Sequence, residues 1–153
     1  MKPFIVLMPG MMCNQCVFSH QINALEKFFN VIVKEFNEHH DIELGVKNLA
    51  LNLPGKFHLL GHSMGGIVAM ELIKQHSKRV LSLALLNTNP YEEKQELKDK
   101  RNKTLKELNA LDLKSLMKSD YISRYFPDDC RDKNKLIQQC VDCLLYTSPS
   151  PRD

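Results

Sequence analysis

Residues 59–66 read LLGHSMGG, and this stretch decides how the whole chain is read. A short apolar run ends at Gly61, a helical pattern starts at Met64, and Ser63 stands between them with glycines at 61, 65 and 66. Glycine at such a corner removes the Cβ atoms that would collide when a strand turns sharply into a helix. A serine at the tip of that turn sits in a strained backbone conformation, with its hydroxyl pushed out at the carboxyl end of the sheet. Open α/β sheets bind their ligands at that end. Ser63 is therefore a candidate nucleophile. The backbone N–H of Met64, at the start of the helix, is a candidate donor to a developing oxyanion. Alone, a G-x-S-x-G pattern arises by chance in about one chain in twenty of this size, so its context must carry the reading.

That context is an alternation of strand and helix patterns. Residues 4–8, FIVLM, form a continuous apolar run closed by Pro9-Gly10, as expected of a strand covered on both faces. Residues 16–29 place Val17, Phe18, Ile22, Leu25, Phe28 and Phe29 at helical spacing, which predicts one buried stripe. A strand is predicted over 30–36. Asp41 then caps a helix through about Leu53, stopped by Pro54-Gly55. A short strand over 57–60, a helix over 64–76 and an apolar strand over 80–86 complete the series. Strands alternating with helices of this length predict an α/β fold, a mostly parallel sheet with helices on both faces. After Pro90 the pattern becomes long, charged and helical to about Lys118, the start of a lid or a surface helix pair. The predicted organisation is core strands and corner in 1–90 and a helical region in 91–142.

Composition bounds the function. The 153 residues carry 43% hydrophobic and 25% charged side chains and a formal charge of +3, ordinary values for one globular domain. That charge is too mild to imply nucleic acid as a partner. Six basic residues fall between Lys94 and Lys106, but Glu92, Glu93, Glu96, Asp99 and Glu107 are mixed among them, as on a solvated helix face. No run is long enough to span a membrane, and Pro9-Gly10 cuts the N-terminal apolar run short of a signal-peptide core. Five cysteines without an export signal fit reduced thiols and a cytoplasmic location. Cys13-x-x-Cys16 lacks a second pair at metal-binding spacing, so no metal or cofactor is expected.

The last eleven residues, CLLYTSPSPRD, break with the charged helical pattern before them. Back-translated, they resemble the DNA of a transposase-type sequencing adaptor read in frame. The expected native part is then Met1 to Asp142, and residues 143–153 an artefactual tail; a Pro-rich disordered terminus is the alternative.

GHSMGG after FHLL, FIVLMPGMMCN near the N-terminus and LSLALLNTNP after the corner helix together resemble the α/β-hydrolase superfamily. The likeness is to the single-domain branch with an LLPGLLCD-like opening, and it covers about residues 4–90 well. It implies that Gly61, His62, Gly65 and Gly66 build a nucleophile elbow around Ser63. It also implies that the backbone N–H of Met11 is a second oxyanion donor and that Met12 lines the substrate pocket. The implied function is a serine hydrolase acting on ester or thioester bonds of a small acyl substrate. Lyases, lactonases, acyltransferases and non-catalytic binding proteins share this architecture.

In that family an acid and then a histidine follow the serine, on loops after later strands. Here Asn87 and Asn89, not a carboxylate, follow the strand ending at Leu86. None of the six histidines, at 20, 39, 40, 58, 62 and 76, lies beyond Asn87. His62 alternates to the opposite face from Ser63 and is expected to pack within the elbow. His39-His40 is expected to be a surface pair, and Asp120, Asp128 and Asp129 to cap or solvate the helical region. The chain therefore reads as a C-terminally truncated hydrolase without its acid and base, its sheet ending in an unpaired apolar edge.

Overall fold

The computed structural model describes residues 1–11, 13–36, 41–107, 122 and 126–147, and it divides into two units, Met1–Pro90 and Tyr91–Asp153. The first unit holds four strands: β1 (Phe4–Met8), β2 (Asn30–Val33), β3 (Phe57–His62) and β4 (Val80–Leu86). All pair in parallel, in the order β2-β1-β3-β4. Between them run α1 (Ser19–Leu25), α2 (Ile42–Leu51) and α3 (Met64–His76). A parallel sheet needs such crossovers, and their right-handedness distributes the helices over both faces.

Side-chain alternation sorts the core into two layers. On one face Val6 and Met8 of β1 and Phe57 and Leu59 of β3 pack with Val46 and Ala50 of α2 and Val68, Ala69 and Leu72 of α3. On the other, Ile5, Leu7 and Phe18 are buried with Ile22, Leu25, Phe29 and Leu60 around α1. Both faces of β1 are thus covered, as a continuous apolar run requires. By contrast β4 pairs only with β3 among the described residues, and its Leu81, Leu85 and Leu86 are exposed.

Element boundaries differ from the periodicity in informative places. β2 stops at Val33 because its partner β1 stops at Met8, before Pro9, which has no N–H to continue a ladder. The final rung is Lys34 N–H donating to the Leu7 carbonyl at 3.0 Å, and Phe36 joins the α2/α3 core instead of a strand. The 16–29 helix is shorter than predicted: a 3-10 turn, Gln15–Phe18, precedes α1, and tight turns follow Leu25. With three residues per turn the 3-10 segment rotates Val17 out of the stripe, and it is 42% exposed; Phe28, beyond the helix end, is 67% exposed. α2 begins where expected, with Asp41 Oδ1 accepting the Leu44 N–H at 3.1 Å.

Arg79, at the entrance to β4, ties the α2 end of this unit together. Its Nη1 donates to the Ala50 carbonyl at 2.9 Å, and its Nη2 to Leu53 at 2.7 Å and Pro54 at 2.8 Å. The guanidinium also lies 5.7 Å from the centre of the Phe57 ring. Arg79→Ala strips three carbonyls of a charged donor. It is expected to destabilise the unit by about 2–3 kcal/mol in urea denaturation. Arg79→Lys, which has no planar fork, should recover only part of that loss.

The second unit contains α4 (Gln95–Glu107) and α5 (Lys133–Thr147). Ile122, Ile137 and Val141 are buried together with Phe126 and Cys140 packed on them, and burial pushes the Cys140 thiol up. α5 runs past Asp142 through Cys143–Thr147, so the compositional break is not a break in the helix; residues 148–153 lie outside the described residues. Leu108, Leu111, Leu116 and the end of the predicted helix at Lys118 also lie outside them.

Candidate active site

β3 extends two residues beyond its predicted end because Gly61 and His62 pair with Leu85 and Leu86 of β4, and Gly61 also pairs with Met8 of β1. The chain then turns at Ser63, whose φ of 52° and ψ of −120° place an L-residue in the left-handed half of backbone space. Such a conformation costs about 1–3 kcal/mol and persists only when the surroundings over-determine it. Three hydrogen bonds do so here. The Ser63 N–H donates to the Leu86 carbonyl at 2.9 Å, and the Ser63 carbonyl accepts from the Gly66 N–H at 2.9 Å and from the Thr88 hydroxyl at 2.8 Å.

The glycines account for the tightness of the turn. A Cβ on Gly61 would lie 2.5 Å from the Gly65 carbonyl oxygen and 2.6 Å from the Gly66 Cα. A Cβ on Gly65 would run into the carbonyl oxygens of Met8 and Pro9, and one on Gly66 would lie 2.6 Å from the Thr88 side chain. The helix therefore lies close on β3, and the side chain for which Gly66 makes room is Thr88. Neither Thr88 nor Asn87, with φ of 47°, stood out in the sequence as a site residue. The available signal was an asparagine, tolerant of left-handed backbone, directly after a strand.

Ser63 occupies the N-cap position of α3, yet its side chain makes no capping hydrogen bond. Ser63 is half-buried, and its hydroxyl makes no hydrogen bond among the described residues. As the first residue of α3, Met64 has no intrahelical acceptor for its N–H. Met11 lies in the turn after Gly10, closed by the Cys13 N–H donating to the Gly10 carbonyl at 3.1 Å, and is 62% exposed. Gly10 lies against the corner: a Cβ there would be 3.1 Å from the Ser63 Cβ. The structure thus brings Gly10, the residue before Met11, against Ser63 at the start of α3. Met12 lies outside the described residues.

His62 faces away from the α2/α3 core, edge-on to Phe18 with ring centres 6.4 Å apart. Its Nδ1, close to Gly10, is buried without a hydrogen-bond partner among the described residues, and burial lowers the ring's pKa. The folded state thus binds a proton less readily than the unfolded chain, whose imidazole titrates near about 6.5. The stabilisation is complete above that value and is lost as pH falls through the lower folded value. Thermal midpoints at pH 7.5 and 5.5 should show His62→Gln losing less stability on acidification than the unsubstituted protein.

Of the other histidines, His58 hydrogen-bonds the Ser82 hydroxyl across β3 and β4 at 2.8 Å, and His20 is on the surface. His39, His40 and Asp120 lie outside the described residues. Asp128 pairs with Lys133 at 2.7 Å, which holds its carboxyl low, and Asp129 is exposed. Among the described residues no three His, Cys, Asp or Glu side chains gather to hold a metal, and no helix is long and apolar enough to cross a membrane. An open groove of about 620 Å³ runs along α2 and α3, lined by Ile42, Ile67, Met70 and Glu71. Ser63 does not line it.

A parallel α/β sheet with a strained serine between strand and helix defines a hydrolase-type fold. The sequence model of the alpha/beta hydrolase fold family matches residues 19–126, more than half of the chain, and the chain belongs to that family. Among solved structures it is similar to a thermophilic esterase from Thermogutta terrifontis, with 20% identity and a TM-score of 0.70 over 97% of this chain and 61% of the other. A hydrolase from Pseudomonas aeruginosa PA01 matches at 18% identity and a TM-score of 0.71, over 95% and 62%. The enol-lactonase from Burkholderia xenovorans LB400 matches at 18% and 0.70, over 97% and 61%. A curated relative, the biotin biosynthesis bifunctional protein BioHC of Teredinibacter turnerae, is 38% identical over 50 residues, 33% of this chain and 9% of that protein. The chain thus spans about three fifths of the length of the structures it resembles.

Proposed function

We propose that Ser63 is the nucleophile of a serine hydrolase that cleaves carboxylic ester or thioester bonds of a small acyl substrate. The observation that carries this reading is a strained serine backbone whose hydroxyl is not used to cap its own helix. In the proposed reaction Ser63 Oγ attacks the acyl carbon while a histidine accepts its proton. The tetrahedral oxyanion forms within reach of the Met64 and Met11 N–H groups. It collapses as the acyl carbon's bond to the alcohol or thiol breaks and that leaving group takes the proton from the histidine; water then hydrolyses the acyl-enzyme, releasing the acid and regenerating Ser63. In the family's order the acid and then the histidine follow the serine, and residues 77–153 hold no histidine.

A serine-directed fluorophosphonate applied to the gene's full product tests the reading. The expected result is a single adduct on the peptide containing Ser63; an unlabelled protein, or an adduct elsewhere, overturns it. The likeness to an enol-lactonase keeps lactones in view as substrates. Profiling esters, thioesters and lactones separates these acyl classes.

A further inference from the structure

Thr88 lies two residues beyond the end of β4, outside the G-x-S-x-G stretch, yet it grips the corner at its centre. Its Oγ1–H donates to the Ser63 carbonyl at 2.8 Å, and its side chain fills the space left open by Gly66. Asn87, in left-handed conformation, turns the chain between Leu86 and Thr88, so Leu86 accepts from the Ser63 N–H while Thr88 donates to the Ser63 carbonyl. Both ends of the strained residue are thereby held by the end of β4 and the two residues that follow it.

We infer that Thr88 is a positioning residue for oxyanion stabilisation, acting through the Ser63–Met64 peptide; this rests on the reading of Ser63 as nucleophile. The physical link is the planarity of that peptide, in which the C=O of Ser63 and the N–H of Met64 point in opposite directions. Fixing the carbonyl fixes where the N–H aims. Without the Thr88 hydroxyl the carbonyl keeps, among the described residues, only donors from the first turn of α3 itself, such as the Gly66 N–H, and nothing outside that helix then holds the strained ψ of Ser63. Hydrogen bonds in series also polarise one another, so a donor on the carbonyl strengthens the N–H at the far end of the same peptide. Oxyanion donors act only when pre-aimed, which is why a support at one remove affects rate. The same contact gives Gly66 its reason: a Cβ there would displace the Thr88 side chain.

The test measures the rate at which a fluorophosphonate labels Ser63 in the gene's full product, since the adduct is tetrahedral and seats an oxygen among these donors. Thr88→Val keeps the branched shape and removes the hydroxyl; labelling is expected to slow by about ten-fold, the equivalent of about 1.4 kcal/mol. Thr88→Ala should slow it by the same factor, which covers the case in which valine does not fold. Thr88→Ser restores the donor and should label within about three-fold of the unsubstituted rate, a rescue that a purely packing role would not give. Equal slowing in Thr88→Ser and Thr88→Val overturns the inference, as does an unchanged rate in Thr88→Val and Thr88→Ala. Ser63→Ala tests the underlying reading separately. Label persisting in that variant defeats the nucleophile assignment, whereas label lost there with Thr88→Val unaffected defeats the Thr88 inference alone.

Discussion

Ser63→Ala in the gene's full product is expected to lower turnover of an activated ester by about a million-fold, while the fold is retained. The effect is large because nucleophile, base and acid act as a unit, so removing one forfeits nearly the whole covalent route. Stability should change little. Alanine still carries a Cβ at φ 52°, so the backbone strain persists, and the hydroxyl it removes caps nothing. The Ser63 N–H and carbonyl hydrogen bonds to Leu86, Gly66 and Thr88 use backbone atoms of residue 63 and survive the substitution. Steady-state kinetics beside a thermal melt would check this. Turnover within ten-fold of the unsubstituted protein would remove Ser63 from the mechanism.

Gly65→Ala carries the second large effect, this time on folding. The added methyl would be driven into the carbonyl oxygens of Met8 and Pro9, at the end of the central strand β1. These are backbone atoms in the middle of the sheet, with Met8 and its neighbours fully buried, so they cannot step aside as the end of a flexible side chain would. The expected cost is about 3 kcal/mol or more, read as a shift of the urea midpoint or as loss of soluble protein. Gly55→Ala is the matched control, because nothing lies within 4 Å of a Cβ there. It should remain within about 0.5 kcal/mol of the unsubstituted protein. If both glycine variants proved equally stable, the close approach of α3 to β1 would not be what the motif's glycines serve.

Several features of the fold were legible in the sequence, in each case where a local rule acts alone. The parallel-sheet architecture follows from continuous apolar runs alternating with helical spacing. α3 starts and β4 ends where predicted because glycines mark the first limit and asparagine and proline the second. Asp41 is read correctly as a cap since capping depends only on residues three apart. Misplaced boundaries trace to partners distant in sequence. β2 is cut short by the end of β1, and β3 is lengthened by pairing with β4. Val17 and Phe28 have helical spacing but lie where the backbone is not α-helical, so their side chains face solvent.

The sequence by itself determined the family, the alternation of strand and helix, and the serine at the sharp corner, since a corner built from three glycines leaves its mark within eight consecutive residues. Only the tertiary structure decided what holds that corner. Leu86 and Thr88 approach Ser63 across 23 and 25 positions of chain, brought there by the pairing of β4 with β3. A hydrogen bond between strand ends is a consequence of register, and register is set by the packing of the whole sheet.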